Sequence, residues 1–190
     1  MHCSKRAVLA GLAMFGAVAL AASAGDVMQK AVSDPGAFWS IWGKAKTNYV
    51  TDPGVKGGAA ERVTISPKPD NPWDVGAVVG ITKPVQKGDV LLLMFWARAV
   101  KLPAGSDLIM VSGRIYESAP SGAGVSPETS LLIGRQWKLY YVSGTATKDY
   151  PGGTLEAGME LGTGEQVIDF GPVSVLDLGP NYNADWLPRN

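Results

Sequence analysis

Residues 90–100, VLLLMFWARAV, constrain the fold of this chain more than any other stretch. Side chains along a strand alternate with period two, so Leu91, Leu93, Phe95, Ala97 and Ala99 share one face. Leu92, Met94, Trp96 and Arg98 share the other. The first set is a core face. The second ends in an indole beside a guanidinium, which a strand covered only by apolar core does not need. Just before it, residues 74–81 are rich in Val alternating with small residues, and Lys83-Pro84 and Lys87-Gly88-Asp89 punctuate the connection. Strand, turn, strand is the expected local structure.

The same pattern of short apolar segments between Gly and Pro turns continues along the chain, with 24 Gly and 13 Pro in 190 residues. It predicts a short helix or irregular lead-in over 27–32 and strands over 37–45, 61–65, 107–117, 130–133, 137–146, 155–161 and 166–178. Residues 118–129 (SAPSGAGVSPET) read as a surface loop, and 179–190 as an irregular tail. No internal repeat or linker interrupts the series. One all-β domain of about eight to ten strands follows, with a jelly roll as the expected arrangement.

The chain opens on a segment of a different kind. Lys5 and Arg6 precede an apolar run over 7–22, and Ala22-Ser23-Ala24 matches the small-x-small cleavage pattern. A signal peptide over 1–24 is expected, with the domain over 25–190, secreted or periplasmic. The apolar run is short for a spanning helix, which needs roughly 20 residues, so no membrane is expected as a partner of the mature form. Cys3 precedes the run, where a lipidation cysteine would follow it.

Cleavage there would remove His2 and Cys3, the only His and Cys of the chain. What remains cannot perform Ser-His-Asp or Cys-His nucleophilic catalysis with its own side chains. His/Cys ligation of metals and disulfide bonds are excluded too. Of 17 basic residues, loss of Lys5 and Arg6 leaves 15 against 17 acidic ones. With no basic run, neither nucleic acid nor an anionic membrane is a favoured partner.

Several segments resemble a known family. Trp73-Asp74-Val75, Lys87-Gly88-Asp89 and Phe95-Trp96-Ala97-Arg98-Ala99 resemble, in that order, the central part of carbohydrate-binding modules of families four, nine and twenty-two. These accompany many xylanases and β-glucanases. Gln166-Val167-Ile168-Asp169 and Val173 to Gly179 resemble their last core strand, and Gly57-Gly58-Ala59-Ala60 before Arg62-Val63-Thr64 resembles their glycine-led second strand. The resemblance covers most of 35–179. It implies a galactose-binding-like β-sandwich of two antiparallel sheets. A concave face would hold a polysaccharide or oligosaccharide, and a structural calcium is common. No catalytic domain follows in this sequence, whereas such modules are usually attached to one.

Against that background Trp96 is the lead candidate: a sugar presents a C–H face to an indole, and Arg98 beside it supplies fixed donors. The competing reading buries Trp96 in the sandwich or under a loop. Asp74 would meet Arg98 if their strands were neighbours, either orienting it toward a ligand or forming a structural pair. Arg114 and Tyr116 share a face with Met110 and Ser112, which suits a groove floor or a solvated outer face; the resemblance puts this strand in the concave sheet. Glu117 could accept from sugar hydroxyls. Trp137 is expected to anchor the core, and Trp39, Trp42 and Trp186 to serve as packing residues. Tyr140 and Tyr141 must point opposite ways. Asp169 or Asp177 could serve a calcium ion. The reading is a non-catalytic sugar-binding domain. Its rivals are a structural or protein-interaction sandwich, favoured by a closed or apolar-filled face, and a small glycoside hydrolase, favoured by an acid pair about 5–10 Å apart.

Overall fold

The structure is a computed structural model and describes residues 28–190; the expected leader over 1–24 lies outside the described residues. Ten strands form two five-stranded sheets. They are β1 (Ser40–Gly43), β2 (Lys46–Thr51), β3 (Ala59–Ile65), β4 (Val75–Ile81), β5 (Val90–Lys101), β6 (Ile109–Glu117), β7 (Thr129–Ile133), β8 (Lys138–Thr145), β9 (Leu155–Glu160) and β10 (Gln166–Asp177). Sheet I runs β1-β4-β9-β6-β7 and sheet II runs β2-β3-β10-β5-β8, every pairing antiparallel. The jelly-roll β-sandwich expected from the pattern is the fold observed.

The alternation in β5 is realised as read: Leu91, Leu93, Phe95 and Ala97 are fully buried between the sheets and Ala99 nearly so. Sheet I answers with Ala77, Val79, Val111, Ile115, Leu131 and Ala157. At the centre, Phe95 meets Trp39 edge-on at 5.5 Å and stacks on Tyr140 at 5.8 Å, with Phe170 6.2 Å away. Such rings add about 0.5–1.5 kcal/mol per pair beyond area burial. Tyr140 therefore points inward, its hydroxyl donating to the Leu132 carbonyl at 3.1 Å, and Tyr141 points out. Between β4 and β5, Gly88 takes φ 92°, a conformation that favours glycine, while the Asp89 carboxylate accepts from Gln86 N at 2.7 Å.

Three expectations need correction. The strand over 37–45 contracts to Ser40–Gly43, because Trp39 turns into the core. Residues 46–51 form β2, an almost wholly exposed edge strand held by backbone pairing to β3, with no apolar alternation to announce it. Trp137 is only partly buried and lies on the outer side of sheet II under Arg98. The chain ends also do more than expected. Ala31 bridges to Leu176, and Leu187 of the tail joins Ala31, Val90, Leu92 and Leu176 in a small second core on the outer face of sheet II. The last residue, Asn190, donates to the Tyr141 carbonyl and accepts from its N–H, both at 2.8 Å, capping the exposed edge of β8.

Candidate functional site

Strand register fixes which side chains share the outer face of sheet I. One row across the sheet reads Trp42, Gly76, Glu160, Ser112, Ser130; the next reads Ser40, Val78, Gly158, Arg114; a third reads Gly80, Glu156, Tyr116. Glycines recur on this face, and two of them have large rings beside them. A Cβ on Gly76 would lie 2.1 Å from the Trp42 indole, and one on Gly158 would lie 2.8 Å from the Tyr116 hydroxyl. Both rings thus lie low over bare backbone, where any side chain would push them up.

Trp73 completes the wall. It sits in a 3-10 turn, Pro72–Asp74, immediately before β4 and is 59% exposed. The Trp42 indole N–H donates to the Trp73 carbonyl at 3.2 Å, which ties the two together. Between Trp42, Trp73, Arg114 and Tyr116 lies a pocket of about 110 Å³ floored by Gly158 and Met159 and edged by Ser112 and Glu160. The Arg114 guanidinium lies 4.7 Å from the Tyr116 ring centre, a cation–π contact that fixes its plane. Burial first, then the neighbouring Glu156 carboxylate, push the Tyr116 phenol above its ordinary value, so at neutral pH it keeps its proton and can donate. Ser112 donates to Glu128. The surface offers flat apolar faces, planar donors and carboxylate acceptors side by side.

The five residues singled out from sequence do not form one site. Arg114 and Tyr116 are in sheet I, whereas Trp96 and Arg98 are in sheet II. Alternation gave each side chain its face but not its sheet. Trp96 is partly buried and lines a different cavity. Arg98 is consumed by structure: its guanidinium donates to Asp169 at 2.9 and 3.1 Å, pairs with Asp52, and lies 4.9 Å over the Trp137 ring. Asp74 does not meet Arg98. Its carboxylate accepts from Asn71 N at 2.8 Å and caps its own 3-10 turn. Glu117 is held by Lys148 at 2.8 Å, and that lysine lowers its pKa.

What sequence reasoning missed is the pair Trp42 and Trp73: from sequence, Trp42 reads as a packing residue, and Trp73 only as part of a segment resembling the family. Their signal was indirect. The outward positions of β4 and β9 carry Gly76, Gly80 and Gly158, which is wasteful in a strand unless something large lies across them.

Asp169, one of the two aspartates considered for calcium, does not fit it. Asp169 is fully buried, with both carboxylate oxygens taken by Arg62 and Arg98. Asp177 lies beside Asp89, and one of its oxygens accepts from Gly179 N at 2.8 Å. Among the described residues, no group of three or more His, Cys, Asp or Glu converges as a metal site.

No family model and no curated protein sequence matches this chain. Its fold does match solved structures. A CBM4 module aligns with TM-score 0.55 at 17% identity, over 73% of this chain and 94% of that one. The CBM22-1 xylan-binding domain of Paenibacillus barcinonensis Xyn10C aligns at 0.53 with 13% identity, over 79% and 92%. The second N-terminal cellulose-binding domain of Cellulomonas fimi β-1,4-glucanase C aligns at 0.53 with 20% identity, over 77% and 90%. The chain has the β-sandwich fold of carbohydrate-binding modules of the CBM4 and CBM22 type, and it spans nearly the whole of each.

Proposed function

We propose that the outer face of sheet I binds a polysaccharide or oligosaccharide without cleaving it. The observation that carries this reading is the pair of rings laid over glycines, Trp42 over Gly76 and Tyr116 over Gly158, with Arg114 between them. A sugar ring needs an apolar plate for its C–H face and planar donors and acceptors for its hydroxyls. Trp42 and Trp73 supply the plates; Arg114, Tyr116, Ser112 and Glu160 supply the polar partners. The open groove with exposed indoles and a guanidinium favours a binder over a sandwich that has lost its ligand. Binding without hydrolysis is supported by the matched solved structures, which are a CBM4 module, a xylan-binding domain and a cellulose-binding domain aligned over nearly their whole length.

The resemblance to xylan- and cellulose-binding domains makes β-1,4-linked glycans the first ligands to try. Export through the leader over 1–24 would bring the domain to such glycans; N-terminal sequencing of protein recovered outside the cytoplasm tests this, and an intact Met1 would refute it. The binding test is calorimetric titration with xylan and β-glucan oligosaccharides, extended to a glycan array. A stacked ring contributes about 0.5–1.5 kcal/mol beyond burial and each hydrogen bond about 0.5–1.5, so Trp42→Ala should weaken binding about tenfold. Trp96→Ala should leave it within twofold. No glycan bound, or a folded Trp42→Ala protein with unchanged affinity, would overturn the proposal.

A further inference from the structure

A second cavity lies on the opposite sheet and owes nothing to the groove. Strand β3 pairs with β10 only as far as Phe170, which stands opposite Glu61. The next residues, Gly171 and Pro172, break the register of β10. A neighbour returns only at Val175, whose carbonyl accepts from Val32 N at 2.8 Å and whose N–H donates to the Ser33 hydroxyl at 3.0 Å. The gap left beside β10 is a cavity of about 530 Å³, walled by Trp39, Phe170, Val173, Met94 and Trp96 and entered by Glu61. That volume lies within the roughly 300–1,000 Å³ of small-molecule sites.

Two of the residues that line it, Glu61 and Trp39, each carry a solvent-sealed polar atom, Oε2 and Nε1, with no hydrogen-bond partner among the described residues. The residues are 8% and 5% exposed. Native interiors rarely leave such groups unmade, because a buried unpaired carboxylate carries its full desolvation cost. Burial accordingly raises the Glu61 pKa. Its neighbours across the sheet, Tyr49 and Phe170, bring no positive charge. Lys56 stands on the cavity rim but is exposed, and it forms no ion pair with Glu61 among the described residues.

We infer that this cavity is a binding site for an apolar primary amine, whose ammonium pairs with the Glu61 carboxylate while its hydrocarbon body lies against Trp39, Phe170 and Trp96. The lining selects the body, because it is apolar and aromatic apart from Glu61, Lys56 and Ser174. Glu61 selects the head. A charge-assisted hydrogen bond is about twice as strong as a neutral one, so an ammonium outcompetes a hydroxyl, and a carboxylate is repelled.

The test is calorimetric titration of the full chain at pH 7 with n-octylamine, n-octanol and octanoate, each as a separate probe. Octylamine should bind at least tenfold tighter than octanol, and octanoate weakest of the three. Glu61→Gln should bring octylamine down to the level of octanol and leave octanol unchanged. Ala59→Phe adds a ring on the cavity wall from an exposed strand position, and it should weaken the amine and the alcohol together. The inference is overturned if none of the probes binds, if octanoate matches the amine, or if Glu61→Gln keeps the preference for the amine. Should Glu61→Gln not fold, the order of the three probes on the wild-type chain decides alone.

Discussion

The Trp42 indole rests on the bare Cα of Gly76: a methyl group there would sit 2.1 Å from Cζ2 and 2.3 Å from Cη2 of the ring. Ring and glycine belong to paired strands, β1 and β4, at facing positions. The aromatic floor of the groove is therefore written into the strand below it as a missing side chain.

Gly76→Ala should lift the indole and break its hydrogen bond to the Trp73 carbonyl, and it also presses the added methyl to 2.6 Å from the Met159 carbonyl of β9. Overpacking of this kind costs about 1–3 kcal/mol, and glycan affinity should fall about tenfold with it. Gly80→Ala is the control. It lies on the same face of the same strand, with nothing within 4 Å of an added Cβ, so stability and binding should both be retained. Melting curves and titrations of the two variants, side by side, check this; equal behaviour would mean that Trp42 does not need its seat.

Asp169→Asn should be the costliest single polar change in sheet II. The carboxylate is fully buried and accepts from Arg62 at 2.7 and 2.9 Å and from Arg98 at 2.9 and 3.1 Å. Removing its charge leaves Arg62 with no ion-pair partner among the described residues and Arg98 with Asp52 alone, and breaking a buried pair costs about 3–5 kcal/mol. Chemical denaturation should report a loss of that order. Glycan affinity of the folded fraction should be unchanged, because this cluster is on the sheet away from the groove.

Asp177→Asn should stabilise the domain at neutral pH. Burial first, then the neighbouring Asp89, raise the Asp177 pKa above 3.8. A raised carboxyl pKa means that the native state favours the proton. The wild type carries no penalty below the unfolded value of 3.8 and acquires one as pH rises through the raised value. Asparagine keeps the acceptor for Gly179 N and removes the charge. The melting temperature should rise at pH 7 by about 2–4 °C for each kcal/mol relieved, and the gain should vanish below pH 3.8. A gain of the same size at both ends of that range would assign the effect to something other than ionisation.

Arg114→Met keeps the length of the side chain and removes the donors. Glycan affinity should drop about ten- to a hundredfold, the loss expected for a charged hydrogen bond of roughly 1.5–3 kcal/mol, with the melting temperature nearly unchanged because the guanidinium is partly exposed. Titration of the variant against the same oligosaccharides gives the answer.

These variants follow the limits of what the sequence carried. Period-two alternation in β5 revealed the core side of Leu91, Leu93 and Phe95, because burial on one face imposes it. It could not reveal that Trp96 and Arg114 lie on opposite sheets, since strand partition is a long-range property. β2 escaped notice because an edge strand is held by backbone hydrogen bonds that any sequence can make. Trp42 and Trp73 sit in a four-residue strand and a single turn, too short for periodicity to register. Their trace was left instead in the glycines of DVGAVVG and EAGME, legible only once the strands were paired.

The two ends of the described chain converge. Ala31 bridges Leu176, and the tail packs Leu187 onto the same small cluster, all on the outer side of sheet II. Anything joined at Asn190, whether a tag, a second domain or a solid support, would grip the domain from behind. The aromatic groove of sheet I would then look outward from the surface the molecule is tethered to, so immobilisation through Asn190 should leave glycan capture at full capacity.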